Sequence, residues 1–135
     1  MQFIQNVSMK DIQTGNHYID DNTILIQIQD WDTVEFSHIK FKKDFKAIYR
    51  FRFDDIDIGS NAITEDQAKD IADKLLYAKK WGQSVVVHCH AGLCRSGAVV
   101  ECGVILGFAD TGTKRIPNTT VKKMITKHLG FELEY

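Results

Sequence analysis

The chain has 135 residues, enough for one domain with a hydrophobic core of its own, and 44% hydrophobic with 26% charged residues is ordinary for a globular protein. A net charge of −1 excludes a molecule that binds nucleic acid by its overall field, so any functional charge must be local. The start of the chain lacks the basic and apolar pattern of a signal peptide, no apolar run approaches the roughly 18 residues of a membrane span, and there is no repeat or linker-like stretch. One domain over 1–135 is expected.

In chain order, Ser8 is placed to cap a short early helix. Residues 22–29 (NTILIQIQ) read as a strand. Residues 47–53 (AIYRFRF) alternate more cleanly, with Tyr49, Phe51 and Phe53 on one face and Arg50 and Arg52 on the other. Thr64 and Gln67 form a capping box, followed by Ala68, Ile71, Ala72 and Leu75 at helical spacing, with Gly82 closing the segment. Residues 83–88 (QSVVVH) suit a buried central strand. A helix from about Arg95 through AVVECGVILGF has Glu101 as its only charge and is expected to be buried nearly all round. Val121, Met124, Ile125, His128 and Leu129 form the stripe of a C-terminal helix. Strands separated by helices indicate an α/β domain with a mainly parallel sheet of four or five strands flanked by helices. In such sheets ligands sit at the carboxyl ends of strands, which directs attention to the segment after residue 88.

That segment reads His88-Cys89-His90-Ala91-Gly92-Leu93-Cys94-Arg95-Ser96-Gly97. A thiol ends a buried strand, five residues form a tight loop, and an arginine and a serine open a helix. Loop amides can converge as an anion nest, and the helix N-terminus adds unpaired N–H groups and partial positive charge. Gly92 supplies conformational freedom, and Arg95 supplies a planar fork for two phosphate oxygens. A cradle that holds a dianion also favours the thiolate of Cys89 as a nucleophile, and Ser96 is close enough in sequence to hydrogen-bond that sulfur. Three cysteines crowded at 89, 94 and 102 make a poor disulfide framework, so a reducing cytoplasm is expected. Cys94 is either a small space-filler or a partner for a reversible disulfide with Cys89. A zinc site of His88, Cys89, His90 and Cys94 is disfavoured, because no second Cys/His pair exists and adjacent strand residues point to opposite faces.

His-Cys-x5-Arg-Ser at 88–96 resembles the signature of the cysteine-based protein tyrosine phosphatase superfamily, and its HCxAGxxRSG form is similar to the dual-specificity branch, including small bacterial and phage proteins. The order of elements over about residues 20–130 fits the same resemblance. Low-molecular-weight tyrosine phosphatases share the Cys-x4-Cys-Arg-Ser spacing, but carry the loop near the N-terminus and an Asp-Pro pair late in the chain. Here the loop starts at Cys89, and the sole proline, Pro117, follows Ile116.

The resemblance implies a phosphocysteine on Cys89, phosphate held by residues 90–95 (His90, Ala91, Gly92, Leu93, Cys94 and Arg95), and a loop-orienting role for His88. It implies no cofactor or metal, because the cradle supplies the positive charge. It also implies a general-acid aspartate about 30 residues upstream, which the loop after the second strand supplies as Asp54, Asp55 or Asp57. Asp55 is favoured by its Asp-Ile context, then Asp57, then Asp54. The short chain leaves little room for a deep phosphotyrosine pocket, so a permissive site acting on phosphorylated protein or peptide is expected, with no membrane partner. An RNA 5′-triphosphatase is the rival enzyme, disfavoured by the near-neutral charge, and a silent phosphate-binding module is the non-enzymatic rival. Trp31 is expected near the pocket. The basic residues of 40–46, Lys114, Arg115, Lys122 and Lys123 are expected to be mostly solvated.

Overall fold

The computed structural model describes residues 2–33 and 41–131. Five strands form one sheet: β1 (Phe3–Val7), β2 (Thr23–Gln29), β3 (Ala47–Arg52), β4 (Ser84–His88) and β5 (Ala109–Asp110). Their order is β3-β2-β4-β1-β5, and every pairing is parallel rather than only most of them. The short runs β1 and β5 were not apparent from periodicity. β4 lies at the centre, wholly buried, as its β-branched run requires.

The two faces of the sheet follow from strand alternation. Ile24, Ile26 and Ile28 of β2, with Val85 and Val87 of β4, face the main core beneath α2 (Glu65–Lys80), α3 (Arg95–Leu106) and α4 (Thr119–His128). Leu25 and Val86 face a smaller core with Phe3, Val7 and Ile12, the last from α1 (Met9–Thr14). Each fully buried Ile or Val side chain contributes about 1.5–3 kcal/mol of transfer free energy, so the large face dominates stability.

The helix starts behave as their sequences dictate. Ser8 Oγ accepts from Asp11 N–H, and the Thr64/Gln67 box is complete, with both reciprocal bonds made. α3 is buried along its first six residues, and its one carboxylate, Glu101, is neutralised by Arg115. In α4, Val121 and Ile125 are buried and Met124 and Leu129 pack on the core, whereas His128 leaves the stripe to pair with Glu65 at 2.7 Å. Among the described residues no helix is long and apolar enough to cross a membrane. Lys40, and Val34 to Phe36 beyond Trp31, lie outside the described residues.

Candidate active site

β4 ends at His88, and the chain then turns through residues 89–94 into α3. This loop is held from outside by its carbonyls. The His90 carbonyl accepts from Met9 N–H at 3.0 Å, that of Leu93 from Ile116 N–H at 3.1 Å, and that of Cys94 from Asn118 N–H at 3.0 Å. Asn6 Nδ2 donates to the Gly92 carbonyl at 2.7 Å. Because a peptide's C=O and N–H point in opposite directions, four outward carbonyls turn loop amides inward. Among the described residues none of the amides of 90–96 has a protein acceptor, which is the condition for an anion nest. Gly92 sits at φ +74°, and a Cβ there would lie 2.5 Å from Ser8 N and the Val7 carbonyl carbon. The end of β1 thus passes directly against the loop, and only glycine fits.

Cys89 is 2% exposed at the floor of this turn, and its Sγ lies 3.2 Å from Ser96 Oγ, itself fully buried. Arg95 is 5% exposed, and its Nη1 donates to Asp30 Oδ1 at 2.9 Å and to the Phe53 carbonyl at 2.8 Å. Asp30, at the end of β2, therefore orients the guanidinium, a partner the sequence reading missed. Its position one residue past a strand that flanks β4 was the available signal. His90 and Ala91 are exposed on the rim, and Leu93 is half-buried. Cys94 is also half-buried; burial and then the neighbouring Asp55 carboxylate push its thiol up.

His88 is fully buried beneath the loop in a relay across three strands. Arg50 Nε donates to Gln27 Oε1 at 2.9 Å, which orients the amide so that Gln27 Nε2 donates to His88 Nε2 at 3.0 Å. The proton of His88 is thereby assigned to Nδ1, which donates to the Cys89 carbonyl at 3.4 Å. Burial pushes His88 down to about 4; the bond to the Cys89 carbonyl opposes this, and the Arg95 charge adds to it. The unfolded chain then binds a proton near pH 6.5 that the folded one refuses. Stability contributed by neutral His88 is complete above 6.5 and falls as pH drops towards 4, by on the order of 3 kcal/mol in all. His88→Gln is expected to flatten the pH dependence of Tm across that window. An unchanged slope would show that other groups set it.

The three candidate aspartates follow β3 and have different partners. Asp54 Oδ1 accepts from Trp31 N–H at 2.9 Å, Asp55 Oδ1 from Asn118 Nδ2 at 2.9 Å, and Asp57 Oδ1 from Thr120 Oγ1 at 3.2 Å. Asp55 is thus tied to the residue that supports the Cys94 carbonyl. Trp31 is 54% exposed and lines a cleft of about 630 Å³ with Asp30, Asp54, Ile56 and Asn61, on the arginine side of the loop. A larger groove of about 770 Å³ runs beside β3 and the start of α2, and none of the loop residues lines it. Arg115 corrects the expectation of solvated basic residues, since it is locked between Glu101 at 2.7 Å and Asp110 at 2.6 Å. No cluster of three or more His, Cys, Asp or Glu suited to a metal ion occurs among the described residues.

No family model and no curated protein matches the chain. Among solved structures, it is similar to OH1 from the Orf virus, a tyrosine phosphatase described as having triple substrate specificity. The TM-score is 0.51 at 16% identity, over 78% of this chain and 56% of that one. The chain thus spans little more than half the length of that relative. The likeness shows the fold alone, a parallel five-stranded α/β sheet flanked by helices.

Proposed function

We propose that the chain is a cysteine-dependent phosphate monoester hydrolase of the tyrosine or dual-specificity phosphatase type, acting on phosphorylated protein or peptide. The observation that carries this reading is the thiol of Cys89 at the floor of a loop whose carbonyls are tied outward and whose amides have no acceptor among the described residues. A dianionic phosphoryl group satisfies those amides and Arg95 at once.

In the first displacement the Cys89 thiolate attacks phosphorus, the ester P–O bond breaks, and the leaving oxygen takes a proton from the general acid. The loop amides and Arg95 hold the equatorial oxygens, which carry the charge of the transition state. In the second, the same carboxylate, now ionised, takes a proton from water as its oxygen attacks phosphorus. The S–P bond breaks, and Ser96 Oγ, at 3.2 Å, donates to the departing thiolate. A reducing cytoplasm would keep Cys89 in the thiol state this cycle needs.

Asp55 is the acid of this scheme, because Asn118 joins it to the phosphate loop, whereas Asp54 is turned to Trp31 and Asp57 to α4. Hydrolysis of aryl phosphates in EDTA tests both parts. The wild type should turn over, and Asp55→Asn should lose about 10²-fold in kcat/KM, which reports the first displacement, with a poor leaving group such as phenol but little with p-nitrophenol. Asp57→Asn should stay near wild type. Phosphate binding without turnover in the reduced wild type would instead identify a phosphate-reading module.

A further inference from the structure

Asn118 stands between Pro117 and the first residue of α4, and each of its polar groups has a different task. Its backbone N–H supports the Cys94 carbonyl at 3.0 Å. Its Oδ1 caps α4 by accepting from Val121 N–H at 3.1 Å. Its Nδ2 donates to Asp55 Oδ1 at 2.9 Å and, at 3.5 Å, to the Ile56 carbonyl. One residue therefore joins the phosphate loop, α4 and the aspartate loop. Its own position is fixed, because Ile116 N–H holds the Leu93 carbonyl and Arg115 is clamped to Glu101 and Asp110 with its Cβ against Gly97.

Asp55 is exposed on a loop, where a free carboxylate samples several rotamers. A general acid must come within about 2.6–3.2 Å of the oxygen it protonates. A cationic partner would hold the carboxylate ionised and spoil it as an acid. An amide carries no charge, and its N–H can donate to a carboxylate oxygen and also to the carbonyl oxygen of the protonated acid, so the contact persists in both protonation states. Asn118 occupies Oδ1, and the Cys94 thiol lies within hydrogen-bonding reach of the same carboxylate from the loop side, so Oδ2, outside the Asn118 bond, carries the proton.

We propose that Asn118 is a positioning residue for proton transfer: its side-chain amide fixes Asp55 Oδ1 against the phosphate loop and leaves Oδ2 as the oxygen that exchanges the proton. This rests on Asp55 as the general acid. It is distinct from the support Asn118 gives the loop through its backbone, which any side chain at 118 preserves.

The test uses Asn118→Ser and Asn118→Thr. Both keep an N-cap acceptor for α4 and the backbone N–H, and neither can give Asp55 an amide hydrogen. With a phosphotyrosine peptide, kcat/KM should fall about ten- to a hundred-fold, as a misplaced acid in the first displacement implies. With p-nitrophenyl phosphate, kcat/KM should stay within about threefold of wild type, and Tm should be little changed. Adding Asn118→Ser to Asp55→Asn should cost nothing further, because Asn118 acts through Asp55. Equal losses on both substrates, no loss on either, or a further loss in the double variant would overturn the inference. Asp55→Asn alone keeps the two readings apart. If it shows no leaving-group dependence, Asp55 is not the acid; if it does and both Asn118 variants do not, only the positioning role falls. Either Asn118 variant suffices should the other fail to fold.

Discussion

Cys89→Ser should reduce turnover of phosphate monoesters by on the order of 10⁴-fold or more while leaving the fold intact. Cysteine and serine share the same side-chain shape, and at this buried position, where Sγ lies 3.2 Å from Ser96 Oγ, the smaller hydroxyl still offers Ser96 a hydrogen-bonding group. What it removes is the proposed nucleophile. A serine hydroxyl needs a base to take its proton, and the imidazole of the preceding residue, His88, directs its Nδ1 proton at the Cys89 carbonyl and its Nε2 at Gln27. The substituted loop keeps its amides and Arg95, so phosphate should still bind. Retained binding with lost turnover, followed by phosphate protection of Tm, would separate chemistry from recognition. Residual activity within tenfold of wild type would mean that the sulfur is not the attacking atom.

Arg95→Lys comes second in expected size, at about 10²- to 10³-fold in kcat/KM, the loss typical of removing one preorganised oxyanion donor. Nη1 is committed to Asp30 and to the Phe53 carbonyl, which leaves Nε and Nη2 of the planar fork for phosphate oxygens. A lysine ammonium is a single point of charge, which must either keep those two acceptors or turn to the phosphoryl group. Asp30→Asn should do less damage than Arg95→Lys, since an amide oxygen still accepts from Nη1. Steady-state kinetics on the variants would check the order, and an Arg95→Lys enzyme within threefold of wild type would remove Arg95 from the transition state.

The parts of this site that were legible in sequence are those whose chemistry is contiguous. Cys89, Gly92, Arg95 and Ser96 fall within eight residues, and a strand before them with a helix after them fixes their relative geometry without knowledge of the rest of the sheet. Thr64 and Gln67 announce their helix for the same reason, because a capping box is local. Asp30 was not legible, since its pairing with Arg95 depends on β2 lying beside β4, a fact of strand order. Gln27 is a polar residue within the strand 22–29, yet it is fully buried and bridges Arg50 to His88, a role that again depends on strand order. β1 escaped because Gln5 and Asn6 interrupt its apolar run; Asn6 is polar for a reason that lies 86 residues away, at the Gly92 carbonyl. Asn118 carried a local signal that was available, an Asn after a proline at a helix start, but its bond to Asp55 is again a product of the fold.

In the proposed reaction the phosphoryl group passes through Cys89. Rapid acid quench of the Asp55→Asn variant during turnover of p-nitrophenyl phosphate, followed by peptide mass spectrometry, reads this directly. The first displacement needs little acid with that leaving group, and the second is slowed by loss of the base, so the intermediate should accumulate. A phosphoryl adduct on the peptide containing Cys89 is the predicted result. Turnover with no adduct there, or with the adduct on another residue, would contradict the account.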